Sequence, residues 1–184
     1  GGIFMKRAAL LFASGTEEIE ALTPVDILRR AGAHVDIIGV GTGEPTGSHG
    51  IRIKTDMTLA SADLLSYDMI IIPGGMPGTT NIEETGIAEV LRKADAEGKI
   101  IAAICAAPMI LGRAGLLAGR EAICYPGFEK YLSGAVISEK KVAVSGNVIT
   151  AKGMGVALEF ALELTKALYG KEKADEVASS VMAK

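Results

Sequence analysis

Short apolar segments alternate with amphipathic segments along most of this chain. Apolar residues at helical spacing predict helices over residues 16–30, 87–96, 108–117, 155–169 and 171–182. Residues 41–67 are less regular, and within them 51–54 and 57–59 are candidate short edge strands. The apolar runs predict strands over residues 6–12, 35–40, 68–73, 99–105 and 121–125, and a hairpin of 141–145 and 148–151 around Gly146-Asn147.

The alternation of strands and helices determines the fold class that we predict. Several strands are continuously apolar, which is typical of a parallel sheet covered by helices on both faces. We therefore predict an α/β fold with a mostly parallel sheet. Ligands of such folds bind at the carboxyl ends of the strands. Three features follow predicted strands there: the acids of residues 17–20, the pair Gly74-Gly75, and Cys105.

Composition narrows the class of protein further. A length of 184 residues favours one domain, and a net charge of -3 gives no reason to expect nucleic acid or an anionic membrane as a partner. No apolar run reaches the length of a membrane span, and the start of the chain lacks the pattern of a signal peptide. Residues 1–4 are interpreted as a tag remnant before Met5, so the predicted domain covers residues 5–184. Two cysteines are too few for a disulfide scaffold, which favours a reducing, cytoplasmic location.

The segment "IIAAICAAP" (residues 100–108) contains the main candidate for chemistry, Cys105. Composition alone favours a buried small hydrophobe, which is the common state of a free cysteine. Its position between a strand and the helix that starts at Pro108 favours a nucleophile instead, because such a turn projects the side chain from the sheet. The unpaired N–H groups of that helix are predicted to lower the thiol pKa. Cys124 has no such position and is predicted to be core.

The acids Glu17, Glu18 and Glu20 lie at the start of the first helix, with Thr16 as a possible cap. Because successive helical positions differ by about 100°, the three side chains cannot all face one way, and at least two are predicted to be solvated. One of them points inward in our hypothesis. A carboxyl group that is desolvated beside a thiolate has a raised pKa and can donate a proton.

Other motifs carry weaker signals. The run "PGGMPGTTN" lacks the ending of a phosphate-binding loop, although Gly74-Gly75 would let backbone N–H groups approach a substrate oxygen. His34 and His49 are interpreted as incidental surface residues. Cysteines and histidines show no metal-ligand spacing, so no metal site and no cofactor are predicted.

Four segments together resemble the DJ-1/ThiJ/PfpI superfamily, in the branch of the Parkinsonism-associated deglycase and bacterial YajL. They are "GTEEIEALTPVDILRRAG" (15–32), "DMIIIPGGMPG" (68–78), "IIAAICAAPMIL" (100–111) and "ITAKGMGVALEFALELTKALYGKEKA" (149–174). The similarity extends from about residue 5 to residue 182. The resemblance implies a flavodoxin-like three-layer sandwich and a homodimer that packs near the first helix, with Arg29 and Arg30 close to the partner's site.

The resemblance also implies roles for individual residues. It implies that Cys105 is the reactive cysteine, Glu20 the protonated glutamate, and Gly75 and Ala106 the source of oxyanion-binding amides. The implied activity is a cofactor-independent glyoxalase III-type conversion of methylglyoxal to lactate, or a deglycase activity on its early adducts. A redox-sensing role through oxidation of the same cysteine is the alternative. Further pocket candidates are Gly74, Tyr125, His49 and Met154.

Three departures from the family pattern bear on mechanism. Ala106 follows the nucleophile where the protease-like branch has histidine. A peptidase or amidase activity is therefore a weaker hypothesis than a glyoxalase or deglycase activity. Tyr125 stands where the human-type protein has histidine, and a phenol cannot act as an imidazole base near neutral pH. Met154 replaces a proline that is usual in this motif. The residues leave open which substrate is physiological and whether catalysis or redox sensing dominates.

Overall fold

The predicted apolar runs form one seven-stranded sheet in the computed structural model, which describes residues 4–183. Residues 1–3 of the predicted tag remnant lie outside the described residues. The strands, including a separate pair formed by β6 and β7, are β1 (Arg7–Ala13), β2 (His34–Val40), β3 (Met57–Thr58), β4 (Met69–Ile72), β5 (Ile100–Ile104), β6 (Glu121–Ala122), β7 (Val136–Ile137), β8 (Val142–Ser145) and β9 (Val148–Ala151).

Strand order places the candidate residues at one end of this sheet. The order is β3-β2-β1-β4-β5-β9-β8, and every neighbouring pair is parallel except β8 and β9, which form the predicted hairpin. From β1 the chain proceeds to β2 on one side, whereas β4 lies on the other, so the connection changes direction between β1 and β4. Ligands of doubly wound sheets bind in the crevice at such a switch point, outside the carboxyl ends of the strands.

Helices cover both faces, as the predicted three-layer sandwich requires. They are α1 (Glu18–Arg30), α2 (Gly78–Glu83), α3 (Ile87–Ala96), α4 (Pro108–Arg113), α5 (Ala157–Tyr169) and α6 (Lys171–Ser180). Alternate residues of the strands point to opposite faces. Leu11 of β1 packs with α2, α3 and α4, whereas Leu10 packs with α1 and α5. A third, smaller cluster joins α1, α5 and α6.

Two predicted strands differ from the structure. Residues 51–54 form only an isolated bridge, Thr46 with Arg52, because the N–H of Ile53 donates to Pro45 within the same loop and not to a sheet strand. The strand predicted over 121–125 stops at Ala122. Beyond it, the N–H of Ile123 donates to the Thr150 hydroxyl, so the chain leaves the strand and crosses toward β9.

The structure also changes several helices. The predicted helix over 108–117 ends at Arg113, since Gly115 has a left-handed φ of 78° that no helix continues through. Helix α5 begins at Ala157, after a 3₁₀ turn of Met154–Val156, and α6 ends at Ser180. Helix α2 and strand β7 were not predicted, because the glycines and prolines before α2 read as a turn and β7 is two residues long. None of the helices formed by residues 4–183 is both long enough and apolar enough to cross a bilayer.

Candidate active site

Cys105 lies at a strained turn directly after the central strand β5. Its φ is 65°, a left-handed value that is uncommon for a residue with a side chain. Hydrogen bonds hold the residue on both sides: its N–H donates to Ala151 O at 2.9 Å, and its carbonyl accepts from the N–H of Tyr125 at 2.8 Å. These bonds from two neighbouring segments keep the strained conformation in place, so the geometry is that of a nucleophile elbow.

Two backbone N–H groups point at this turn. They belong to Ala106, which follows the cysteine, and to Gly75, which follows β4; both act on the Cys105 thiol as hydrogen-bond donors. Gly75 has a φ of 90°, and a Cβ there would collide with Glu17 N, so glycine is required for this approach. The two N–H groups that the family resemblance implied as oxyanion donors therefore converge on the Cys105 sulfur.

Glu20 is brought to the same point by the start of α1, which follows β1. Its side chain is 0% exposed, and the Cys105 thiol and the Gly74 N–H act on its carboxyl group as hydrogen-bond donors. The helix cap is Glu17 and not Thr16, because the Glu17 carboxylate accepts the N–H of Glu20 at 2.9 Å. Thr16 is buried, and its hydroxyl accepts the N–H of Ala13 instead. The spacing of three between the two glutamates is the signal that could have identified this cap.

The prediction that at least two of the three acids are solvated is wrong. Glu18 is buried and Glu17 is only 15% exposed in its side chain, although the two face different directions. The reason is the loop of residues 46–52, which folds over the start of α1. The N–H of His49 and the hydroxyl of Ser48 donate to the Glu18 carboxylate, and these bonds lower the pKa of Glu18 against the effect of its burial.

Gly74 separates the cysteine from the glutamate and determines how closely they approach. A Cβ at Gly74 would lie 2.7 Å from Cys105 Cβ and 2.7 Å from Glu20 Oε1, closer than real Cβ atoms come to other atoms. Its carbonyl accepts the N–H of Glu17 at 2.9 Å, which ties the end of β4 to the start of α1. The absence of a side chain at Gly74 therefore allows the thiol and the carboxyl group to form a dyad.

We expect Gly74→Ala to lower the free energy of unfolding by about 1–3 kcal/mol, the usual effect of forcing an extra methyl group into a packed site. Urea denaturation measures this change. Gly155→Ala is the matched control, because no heavy atom lies within 4 Å of a Cβ there. Equal stability of the Gly74→Ala and wild-type proteins would show that the dyad is less tightly packed than this geometry indicates.

Burial dominates the titration of both members of the dyad. It raises the pKa of Glu20 to about 7, with a further rise from the charge of Glu17 and partial opposition from the Cys105 thiol and the Gly74 N–H. Burial likewise raises the pKa of Cys105 to about 12, and the Glu20 carboxylate adds to the rise, whereas the N–H groups of Ala106 and Gly75 oppose it. The predicted raised pKa of the acid is confirmed, but the predicted lowering of the thiol pKa is wrong. Desolvation and the neighbouring carboxylate outweigh the backbone N–H groups.

The two groups therefore compete for one negative charge. Two negative charges are unfavourable in one buried space. The pair therefore loses its first proton readily and its second only with difficulty, and the first loss belongs to the pair and not to one residue alone. When that charge lies on sulfur and Glu20 holds the proton, the repulsion that raises the thiol pKa is absent. The Ala106 and Gly75 N–H groups then stabilise the thiolate.

Two of the remaining pocket candidates, Tyr125 and Met154, have exposed side chains. Tyr125 donates its backbone N–H to the elbow, but its ring is half exposed, lies over Gly153 and contacts Phe128 edge-on. Met154 is also about half exposed, in the 3₁₀ turn after β9. Cys124 is buried in the core as predicted, although it follows a strand and does not lie inside one.

His49 is exposed, but it is not an isolated surface residue. Its Nδ1 atom lies 3.6 Å from Glu17 Oε1 and 3.6 Å from Glu18 Oε1. One donor atom from each of these three residues lies within 4.8 Å of the others, a grouping from distant parts of the sequence that the spacing of cysteines and histidines could not indicate. His34 lies at the opposite end of the sheet, with Nε2 3.0 Å from Asp36.

Helix α1 also presents an open groove of about 540 Å³ on its outer side, lined by Leu22, Val25, Asp26, Arg29, Arg30 and Ile37. Arg29 donates to Val35 O and to Asp56, and Arg30 pairs with Asp26. Both arginines therefore have partners within the chain and lie at the edge of this groove.

Comparison with known proteins identifies similar chains over nearly the whole length. The DJ-1/PfpI family model matches residues 6–167. Protein dj-1beta of Drosophila melanogaster is 36% identical over 96% of this chain and 97% of its own length. Glutathione-independent glyoxalase DJR-1.2 of Caenorhabditis elegans is 36% identical over 91% of each chain. The oxidized structure of Toxoplasma gondii DJ-1 superposes with a TM-score of 0.92 at 38% identity, covering 96% of this chain and 98% of the other.

Proposed function

Because this chain belongs to the DJ-1/PfpI family, we propose that it is a cysteine-dependent enzyme that converts methylglyoxal, or its early adducts, without a cofactor. The observation that carries this proposal is the buried pair of Cys105 and Glu20 beside two convergent N–H groups. A relative named as a glutathione-independent glyoxalase supports the choice of substrate. Such a protein would need its own thiol in place of glutathione, and Cys105 supplies one.

The first step is attack of the Cys105 thiolate on the aldehyde carbon. A carbon–sulfur bond forms, and the carbonyl electron pair moves to oxygen. The N–H groups of Gly75 and Ala106 are placed to stabilise this oxyanion, since they already face the sulfur. Glu20 enters this step in its protonated form and donates its proton to the oxyanion, which leaves a hemithioacetal and a carboxylate.

The second step moves hydrogen between the two carbons. The Glu20 carboxylate removes the proton from the former aldehyde carbon, and the electron pair passes through an enediol to the neighbouring ketone carbon. Return of a proton to that carbon gives a lactoyl thioester on Cys105. One carbon is oxidised and its neighbour reduced, so no external electron acceptor is required. Water then hydrolyses the thioester, releasing lactate and restoring the thiol.

Two further features belong to this proposal. A second copy packs along α1, where the open groove and Arg29 lie, to form a homodimer; sedimentation measurements of mass test this. The chemistry suits a reducing compartment such as the cytoplasm, because a thiol nucleophile must remain unoxidised.

The direct test is lactate formation from methylglyoxal by the purified protein with no glutathione present. We expect saturable turnover whose rate falls at acidic pH, where the dyad keeps both protons and no thiolate forms. Lactate formation no faster than in buffer would contradict the proposal.

A redox-sensing role is the second candidate, and the same N–H groups favour it. Gly75 and Ala106 could donate to the oxygens of an oxidised Cys105 as well as to a substrate oxyanion. Intact mass after graded peroxide separates the two functions. A mass gain that stops at about 32 Da, the sulfinate, together with negligible turnover would favour sensing.

A further inference from the structure

We propose that Glu17 is a positioning residue that disfavours ionisation of Glu20 and thereby shifts the negative charge of the dyad toward Cys105. This inference deepens the proposed function and rests on it. Glu17 does not contact the sulfur; it acts through Glu20.

The geometry of Glu17 connects it to both sides of the dyad. Its Oε2 atom accepts the N–H of Glu20 at 2.9 Å, and its own N–H donates to Gly74 O at 2.9 Å. Its side chain is only 15% exposed, so water screens its charge poorly. A fixed negative charge therefore lies one helical turn from the buried carboxyl group of Glu20.

The contacts of Glu17 and its loop involve the titratable side chains of Glu20, Glu18 and His49. Glu20 lies on the same helix, toward the dyad. Glu18 is turned toward the loop of residues 46–52, where the His49 N–H and the Ser48 hydroxyl satisfy its carboxylate. The His49 ring approaches from that loop, 3.6 Å from Glu17 Oε1. The Glu17 carboxylate is thus the one that bonds to Glu20, whereas the Glu18 carboxylate bonds to the loop.

Glu17 acts on the Glu20 side of the dyad, because its carboxylate is bonded to the N–H of Glu20 and makes no hydrogen bond to Cys105 among the described residues. The Glu17 charge raises the pKa of Glu20, whereas the Cys105 thiol responds to burial, to Glu20 and to the N–H groups of Ala106 and Gly75. A carboxylate at Glu17 therefore disfavours ionisation of Glu20 more than ionisation of the sulfur. With one negative charge on the pair, that difference favours the reactive arrangement of thiolate and carboxylic acid.

For the reactivity of Cys105, this mechanism predicts a change opposite in sign to the one expected if the Glu17 charge acted directly on the thiol. Removing a negative charge near a thiol ordinarily favours the thiolate and accelerates its reactions. Here, removing the Glu17 charge lets Glu20 ionise in place of the sulfur, so the thiolate becomes scarcer. If Glu17 were only a helix cap, a substitution that keeps the cap would leave reactivity unchanged.

The test measures the rate of Cys105 alkylation by iodoacetamide across pH in the full-length protein. Glu17→Gln retains an oxygen that can accept the Glu20 N–H but loses the charge, and we expect alkylation about three- to tenfold slower near pH 7. Glu89→Gln is the matched control, since it removes a charge from an exposed position on α3, away from the dyad and from the α1 groove. Its rate should equal that of the wild-type protein.

A second variant keeps the test valid if Glu17→Gln disturbs the helix. His49→Lys adds a fixed cation beside Glu17 without altering the cap, and we expect it to slow alkylation in the same direction by a smaller factor. Unchanged or faster alkylation in both variants would overturn the inference. Because alkylation needs no turnover, this outcome is independent of whether methylglyoxal is the substrate.

Discussion

Replacing Cys105 with serine is expected to lower kcat/KM for methylglyoxal at least about a thousandfold, because it removes the nucleophile. A hydroxyl group at this position keeps the shape of the side chain but does not ionise near neutral pH. The surrounding hydrogen bonds to Ala151 and from Tyr125 are made by the backbone, so the turn itself is retained in the variant. Lactate formation under substrate-limited conditions measures the loss.

Cys124→Ala is the matched control for this substitution. Cys124 is buried and lies outside the dyad, so its loss should reduce stability and leave turnover within about threefold of the wild-type value. Circular dichroism spectra of both variants are compared with that of the wild-type protein first, so that activities are compared only between folded proteins. Turnover of Cys105→Ser within tenfold of wild type would place the nucleophile elsewhere in the chain.

Glu20→Gln is expected to lower kcat about a hundredfold or more, because an amide occupies nearly the same space as the carboxylic acid but cannot transfer a proton. The backbone N–H of residue 20 still reaches the Glu17 cap, so the start of α1 is unchanged. Glu18→Gln is the control, since that acid bonds to the loop and not to the dyad. A loss in Glu18→Gln as large as that in Glu20→Gln would indicate a general disturbance of the helix.

The same variant should change how stability depends on pH. The pKa of Glu20 is raised from 4.5 to about 7 in the folded protein, so the folded state holds this proton more tightly than the unfolded chain does. The resulting stabilisation is fully present below about pH 4.5 and is lost as pH rises through about 7. Glu20→Gln should lack this decline. Urea midpoints measured across that range check it, and an identical decline in both proteins would assign it to other groups.

The sequence pattern was sufficient to predict the sheet and its two covered faces. It also predicted the end of the sheet at which the candidate catalytic residues lie. Those features follow from local periodicity and from the rule that parallel strands deliver their carboxyl ends to one edge. The position of Cys105 between a buried strand and a helix was likewise visible in a single short segment. Helix α2 was not, because its start is rich in residues that usually form turns.

The environment of the acids could not be predicted from the sequence around them. Glu18 is buried by His49 and Ser48, which lie about thirty residues later in a loop without regular structure. The sign of the Cys105 pKa shift depended on the sum of burial and a neighbouring charge, and a position in the sequence gives neither quantity. The raised pKa of the buried acid was therefore predicted correctly, whereas the direction of the Cys105 pKa shift was not.

The left-handed backbone of Cys105 has a consequence for how variants of this protein would be selected. A residue with a side chain at a φ of 65° costs about 1 kcal/mol or more relative to glycine, which adopts the same conformation freely. Glycine at this position would therefore relieve strain and remove the sulfur in one substitution. A screen that ranks variants by thermal tolerance alone would favour the loss of the nucleophile, so stability and reactivity are opposed at this single position.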